Sequence, residues 1–171
     1  DPTITYPCAY WKNGTRTLKE AQENKLEHVC RKLRLKPGER LIDVGGGWGS
    51  LLFYACEKHG VLGTNLSPTI DQNRWLMEKA KEKGLSDKIS IQEKDFRLVE
   101  GTFDKYASLG VYEHAGKGQL TDWINSMARC LRPGGIGVLH FIAHDLSMET
   151  DFFIRKHIFP GGYLPGLAET I

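Results

Sequence analysis

The segment that most constrains the fold is the glycine-rich stretch LIDVGGGWGS at residues 41–50. A short apolar run typical of a buried strand enters it, and SLLFYACEKHG, a helical pattern that a glycine ends, follows it. Glycines at alternate positions let the backbone turn sharply and approach a ligand closely. A strand, a glycine loop and a helix in this order predict a nucleotide-like cofactor at the carboxyl edge of a parallel sheet.

Apolar and amphipathic segments alternate along the rest of the chain. The pattern predicts strands at 40–45, 61–67, 88–95, 103–112 and 136–144, and helices at 17–35, 50–60, 70–84 and 120–135. Such alternation favours parallel pairing through right-handed crossovers. We therefore expect a doubly wound α/β sheet whose ligands lie at the strand ends.

Composition narrows the class of protein. A chain of 171 residues is the size of one domain. Its formal charge is +2, without a dense basic stripe, so we expect no nucleic-acid partner. The four cysteines form no CxxC pair, which predicts neither a metal site nor a disulfide framework and indicates a reducing cytoplasm. No apolar run approaches the roughly 20 residues that span a bilayer.

The spacing within the loop discriminates between cofactors. A dinucleotide fingerprint would require glycine at position 50, which is Ser50, and the Lys and Ser or Thr of a phosphate-binding loop are absent. The DxGxGxG pattern from Asp43 to Gly49 is typical of S-adenosylmethionine-dependent methyltransferases, and the buried acid could orient the loop amides. A plain glycine turn between strand and helix stays open as the alternative. The second strand ends in Asn65 where an acid is usual, and Ser67 beyond it suits a helix cap.

Six separated blocks resemble the cyclopropane fatty acid synthase family, which includes the mycolic acid cyclopropane synthases. They are YPCAYW at 6–11, TLKEAQENKL at 17–26, LIDVGGGWGS at 41–50, YEHAG at 112–116, LHFIA at 139–143 and IFPGGYLP at 158–165. The resemblance implies a Rossmann-like class I methyltransferase with seven strands, of which the last two would fall beyond residue 171. We expect residues 1–38 to cover the cofactor site and residues 39–171 to form the cofactor-binding core, incomplete at its carboxyl end.

The resemblance also implies a reaction. The family adds a methylene carbon across a cis double bond of a lipid acyl chain: the alkene attacks the sulfonium methyl of S-adenosylmethionine, and loss of a proton from that methyl closes the ring. Bound bicarbonate is the base. We expect an unsaturated phospholipid or fatty acyl substrate and a cytoplasmic protein with peripheral membrane contact that is inferred only from the substrate. The oligomeric state stays open.

By resemblance, two sets of site residues carry over. The anion and catalytic set is Cys8, Glu113, His140 and Ile142, the last through its backbone. The cofactor set is Tyr6, Pro7, Asp43, Gly45, Gly47, Asn65, Gln72, Asp95, Phe96 and Leu109. Three positions depart from the family: Pro7 replaces a common serine, Asn65 a common threonine, and Gly46 a common cysteine. We expect Gly46 to be replaceable.

Blander interpretations stand beside these. Cys8 alone suits a small buried hydrophobe, His140 a hydrogen-bonded core histidine, and Phe152 and Phe153 either an acyl-tunnel wall or simple packing, which we favour. Two other functions stay open: a small-molecule N- or O-methyltransferase, and a cofactor-binding fragment without turnover. Joint retention of Cys8, Glu113 and His140 favours cyclopropane formation.

Overall fold

The computed structural model describes residues 3–170, and a parallel five-stranded sheet forms its centre. The strands are β1 (Arg40–Val44), β2 (Leu62–Leu66), β3 (Ile89–Gln92), β4 (Phe103–Leu109) and β5 (Leu131–His140). Their order is β3-β2-β1-β4-β5, and every neighbouring pair is parallel. The order reverses between β1 and β4, where such sheets bind ligands. The predicted doubly wound α/β fold is confirmed.

The described residues also form four α-helices, the first of which precedes β1: α1 (Leu18–Leu33), α2 (Ser50–His59), α3 (Ile70–Glu82) and α4 (Leu120–Cys130). The first begins in a capping box, in which Thr17 accepts from the amide of Glu20 and the Glu20 side chain accepts from the amide of Thr17. It ends at Arg34 in the left-handed conformation, with φ 52°. The apolar residues at helical spacing that follow Thr17 were sufficient to predict this helix.

Two hydrophobic clusters cover the two faces of the sheet. One contains Leu26 of α1, Leu52 of α2 and Leu76 of α3. The other contains Tyr106 of β4 and Trp123 of α4. Helices therefore pack on both faces, as in doubly wound sheets. Because α1 shares a cluster with α2 and α3, it is part of the packed core. The predicted division into residues 1–38 and 39–171 stays a prediction. Residues 1, 2 and 171 lie outside the described chain.

Four predicted elements have wrong boundaries. The third strand ends at Gln92 rather than 95. The fourth strand ends at Leu109 rather than 112, because Gly110 turns the chain at φ +71°. The fourth helix ends at Cys130, before the Pro and Gly that we expected to end it. The fifth strand spans Leu131–His140 rather than 136–144: Leu131 pairs with Phe103 and Ile136 with Lys105, so residues 132–135 form an irregularity in the register.

Residues 3–17 form no regular secondary structure, yet hydrogen bonds hold this N-terminal segment in place. The Gln22 amide donates to the carbonyls of Thr5 at 2.9 Å and Pro7 at 3.0 Å. The Ser50 hydroxyl donates to the carbonyl of Thr3 at 3.1 Å. These bonds tie the segment to α1 and to the start of α2, and so place it beside the glycine loop.

The expected packing of Phe152 and Phe153 is wrong. Their side chains are 63% and 59% exposed, next to a short π-helical turn at Ile154–Ile158. Within residues 3–170, no helix is both long enough and apolar enough to cross a bilayer.

Candidate active site

The glycine loop between β1 and α2 requires glycine for conformational and steric reasons. Gly45 and Gly47 have φ of +73° and +55°, a region that side chains disfavour. A Cβ at Gly45 would lie 2.6 Å from Cγ2 of Val111. The Gly45 amide donates to the carbonyl of Leu66 at 2.8 Å, which ties the loop to the end of β2. The backbone of the loop is therefore free to face a ligand closely.

Gly46 is not the replaceable position that we expected. A Cβ there would lie 2.4 Å from Oδ1 of Asn65 and 2.6 Å from Oδ2 of Asp43. Both side chains are buried, and the Asn65 amide nitrogen donates to Oδ1 of Asn73 at 3.0 Å, which limits how far it can move. A side chain at the middle glycine would have to displace these two buried polar groups, so replacing this glycine destabilises the loop.

Two clefts flank the loop, and Gly45 lines both. The first lies under the N-terminal segment and is lined by Tyr6, Pro7, Lys25, Asp43, Gly45, Gly46, Gly47, Trp48 and Leu109, among others. The second lies toward α4 and is lined by Leu66, Pro68, Asp95, Phe96, Val111, His114 and Trp123, among others. The structure therefore brings eight of the ten predicted cofactor residues to the edges of the loop.

The other two predicted cofactor residues line neither cleft. Asn65 is fully buried behind Gly46. Gln72 is half-buried on α3, and its neighbour Asn73 makes the polar contacts instead: the Asn73 amide donates to the carbonyl of Ser67 at 2.9 Å and to Glu93 at 3.1 Å. Asn73 was not predicted from the sequence; its position three residues before Leu76, on the buried face of α3, was the available signal.

Asp43 lies at the carboxyl end of β1, 3% exposed. Burial raises the pKa of its carboxyl to about 7, although the nearby charge of Lys25 lowers it. Within residues 3–170 only burial and the charge of Lys25 act on this carboxyl, and no hydrogen bond does, so the loop amides that we expected it to orient are not bonded to it. Asp43 instead faces Gly46 and the first cleft.

Asp95 and Phe96 stand at the second cleft. The Asp95 carboxylate accepts from the amide of Arg97 at 2.9 Å and from its guanidinium at 2.7 and 3.0 Å. These bonds lower the pKa of Asp95. The Phe96 ring lies 4.3 Å from that of Trp123, which gives the cleft an aromatic wall. Trp123 lies on the buried face of α4 and was also not predicted from the sequence as a site residue.

Glu113 is fully buried beyond the end of β4, in the turn Tyr112–Ala115. Its Oε1 accepts a hydrogen bond of 2.6 Å from the backbone amide of Ile142. Its Oε2 is buried and has no hydrogen-bond partner within the described residues. The amide of Tyr163 donates to the Glu113 carbonyl at 2.9 Å, so the IFPGGYLP block closes over this turn. A buried carboxylate oxygen without a donor suits a protonated or donating ligand.

His140 ends β5, and Gly110 joins it to the N-terminal segment. The Gly110 amide donates to the His140 carbonyl at 2.8 Å, and a Cβ at Gly110 would lie 3.6 Å from Cβ of Pro7. Loss of solvent lowers the pKa of His140, while the charge of Glu113 raises it. His140 is not a core histidine, because part of its surface stays exposed.

Cys8 is also not the buried hydrophobe of the blander interpretation. Its side chain is exposed and its thiol is free. Its expected place in an anion site with Glu113 stays a prediction.

A glycine loop after the first strand, a parallel sheet of this order and clefts on both sides of the loop define the fold of class I S-adenosylmethionine-dependent methyltransferases. Solved structures agree. Mycolic acid cyclopropane synthase CmaA1, complexed with S-adenosylhomocysteine, superposes with a TM-score of 0.89 at 30% identity, over 99% of this chain and 65% of that one. Coclaurine N-methyltransferase shares the fold alone, with a TM-score of 0.79 at 21% identity over 96% of this chain and 51% of that one.

The family follows from the whole chain. Residues 1–171 match the mycolic acid cyclopropane synthetase family, and the chain belongs to it. It is 36% identical over 99% of its length to the cyclopropane-fatty-acyl-phospholipid synthase of Escherichia coli K12, and 32% identical over 98% to cyclopropane mycolic acid synthase 1 of Mycobacterium tuberculosis. The chain spans 43% and 63% of the length of these relatives.

Proposed function

We propose that this chain is the cofactor-binding part of an enzyme that transfers a methylene carbon from S-adenosylmethionine to a cis double bond of an unsaturated acyl chain, forming a cyclopropane ring. The observation that carries the proposal is the unpaired, buried Oε2 of Glu113 beside the end of β5. A simple methyl transfer to an amine needs no base after the transfer, whereas ring closure must remove a proton from the new methyl group. The relative in E. coli is named for this reaction on phospholipids.

The two clefts support the cofactor assignment. When bound, S-adenosylmethionine supplies an electrophilic methyl carbon. The glycine loop allows close backbone approach between the clefts, Tyr6 and Pro7 bound the first cleft, and Phe96 offers an aromatic wall at the second. Leu109, at the end of β4, lines the first cleft. These residues orient a ligand that carries a charged end and an aromatic end.

A small bound anion suits the surroundings of Glu113. Bicarbonate would supply the base of the reaction. Its hydroxyl can donate to Oε2 of Glu113, which lacks a donor, while the Ile142 amide holds the other carboxylate oxygen in place. The lowered pKa of His140 keeps its imidazole neutral near pH 7, with one ring N–H that can donate to the anion. Cys8 would bound the pocket from the N-terminal segment.

Exposed apolar side chains support contact with a lipid surface. Phe152, Phe153 and Ile158 are each at least half exposed, and Arg155 and Lys156 lie between them. Aromatic side chains with basic neighbours favour the surface of an anionic bilayer. Sedimentation of the full-length protein with anionic vesicles tests this: replacing Phe152 and Phe153 with serine should release it into the supernatant, and equal binding by this variant would contradict the contact.

The reaction is tested with full-length protein, labelled S-adenosylmethionine and vesicles of unsaturated phospholipid. Mass spectrometry of the lipids should show the gain of one methylene and the loss of the olefin. The same vesicles with saturated acyl chains are the matched control and should gain no label. Label that enters an added amine while the lipids stay unchanged would instead support a small-molecule N-methyltransferase and reject our proposal.

The role of bicarbonate needs a separate experiment. Turnover measured in buffer stripped of carbon dioxide should fall and recover when bicarbonate is added. Equal turnover in both buffers would remove bicarbonate from the reaction without affecting the methylene transfer itself.

A further inference from the structure

Lys25 is the most unusual charged residue of the described chain. It lies on the buried face of α1, with Gln22 and Leu26, and is 7% exposed. Its Nζ has no hydrogen-bond partner within the described residues. An unpaired ammonium group in a protein interior is strongly unfavourable, so a residue of this kind suggests a ligand that completes it.

The first cleft is where Lys25 meets that ligand. Lys25 lines this cleft together with Asp43 and the glycine loop. The charge of Asp43 raises the pKa of Lys25 through space, but no described residue, Asp43 included, forms a hydrogen bond with Nζ of Lys25. Two opposite charges that face one cleft without neutralising each other form a natural receptor for a zwitterion, such as the amino-acid end of the cofactor.

We propose that Lys25 binds the α-carboxylate of the cofactor's amino-acid end, leaving the α-ammonium group to the side of the cleft that Asp43 occupies. This inference rests on the cofactor assigned in the proposed function. The ligand chemistry is that of a carboxylate-type oxyanion, which free bicarbonate shares. The cleft favours the zwitterion, because the ionised form of Asp43 attracts an ammonium group and repels a lone anion.

Two further observations agree with this role. Burial lowers the pKa of Lys25 to about 8, while the charge of Asp43 partly opposes the shift, so the group is still protonated near pH 7 and available to an anion. The N-terminal segment, held by Gln22 three residues earlier on α1, closes the same cleft from above. One turn of α1 therefore carries both Gln22, which positions the N-terminal segment, and Lys25, whose ammonium group faces the first cleft.

The experiment measures binding of S-adenosylhomocysteine and of its decarboxylated analogue, which lacks only the α-carboxylate, to the full-length protein by calorimetry in bicarbonate-free buffer. Lys25→Met keeps the length of the side chain and removes its charge. We expect this variant to bind S-adenosylhomocysteine roughly 10- to 100-fold more weakly and the decarboxylated analogue with unchanged affinity. Lys25→Arg should retain part of the preference for the carboxylate.

The matched control is Lys32→Met, at the exposed end of the same helix, which should change neither affinity. Thermal unfolding supplies a second readout: Lys25→Met should melt at or above the wild-type temperature without ligand, because it removes an unpaired buried charge, yet gain less from S-adenosylhomocysteine.

Three results would overturn the inference. Equal weakening of both ligands would make Lys25 structural, and unchanged affinity for both would leave it without a ligand. A loss that appears only after bicarbonate is added would assign the oxyanion to bicarbonate. Each of these results is obtained with wild-type protein that binds S-adenosylhomocysteine; failure of the wild type to bind it would instead reject the cofactor of the proposed function.

Discussion

The backbone amide of Ile142 donates a 2.6 Å hydrogen bond to Oε1 of Glu113. The bond connects the turn after β4 to the chain just past β5, and it leaves Oε2 as the only unpaired oxygen of this buried carboxyl within the described residues. The side-chain carbonyl of a glutamine can accept the same amide hydrogen. Replacing Glu113 with glutamine therefore separates its structural role, which is the bond to Ile142, from the chemical role of its free oxygen.

Glu113→Gln should therefore keep the fold and abolish most turnover. Its Oε1 can still accept from Ile142, while its Oε2 is replaced by an NH₂ group that cannot accept a proton from an anion. We expect turnover to fall by about 10² to 10⁴ and the affinity for S-adenosylhomocysteine to stay within about twofold. Lipid turnover and calorimetry test this, and a parallel loss of cofactor affinity would show that Glu113 serves the cofactor or the fold instead.

Gly46 and Asn65 should be energetically coupled. Gly46→Cys places a side chain against two buried polar groups, and we expect it to destabilise the protein by about 1–3 kcal/mol. Asn65→Thr shortens the side chain that lies 2.4 Å from the new Cβ and should relieve part of this penalty. Urea unfolding of both single variants and of the double variant measures the coupling. Additive effects would mean that the backbone of the loop, rather than Asn65, responds to the cysteine.

Gln22→Leu should loosen the N-terminal segment. The substitution keeps the volume of the side chain but removes the two hydrogen bonds to the carbonyls of Thr5 and Pro7. We expect faster tryptic cleavage after Lys12 and Arg16 and several-fold weaker binding of S-adenosylhomocysteine. Bound ligand should slow the cleavage in wild type. Leu26→Met in the same helix is a conservative control, and equal cleavage of both variants would argue that other contacts hold the segment.

The stability of the ligand-free protein should depend on pH in two separate windows. The pKa of Asp43 is raised to about 7, above the value near 3.9 of an exposed aspartate, so the folded state holds the extra proton between these values. The free energy of unfolding should therefore fall as pH rises from about 4 to 7. The pKa of Lys25 is lowered to about 8, so the unfolded state holds the extra proton up to about pH 10.5, and the free energy of unfolding should rise over that window.

Urea unfolding across this pH range tests both signs. Asp43→Asn should lose the fall between about pH 4 and 7, and Lys25→Met should lose the rise above about pH 8, which we expect to reach up to about 3 kcal/mol. Subtracting the free energy of unfolding of each variant from that of the wild type at each pH removes the contribution of the other titrating residues. A wild-type curve that stays parallel to that of Lys25→Met above pH 8 would show that Lys25 titrates as an exposed lysine.

The sequence was sufficient for the sheet, the helices and the position of the ligand site. Apolar periodicity, helix caps and the glycine loop act over a few neighbouring residues, so five strands and four helices could be predicted, with errors at Gly110 and Pro133 where a turn or a bulge interrupts the pattern. The carboxyl ends of parallel strands share one edge, which is why most of the predicted cofactor residues meet at the loop.

Only the tertiary structure decided which polar groups are left without partners. Lys25 was visible as a charge on the apolar face of α1, but its isolation depends on how α1 packs beside the end of β1, some 18 residues later along the chain. The same holds for Gly46, whose neighbour Asn65 comes from the next strand, and for the free oxygen of Glu113. Local patterns determine where a chain forms helices and strands, whereas burial, crowding and unpaired charge arise between segments that only folding brings together.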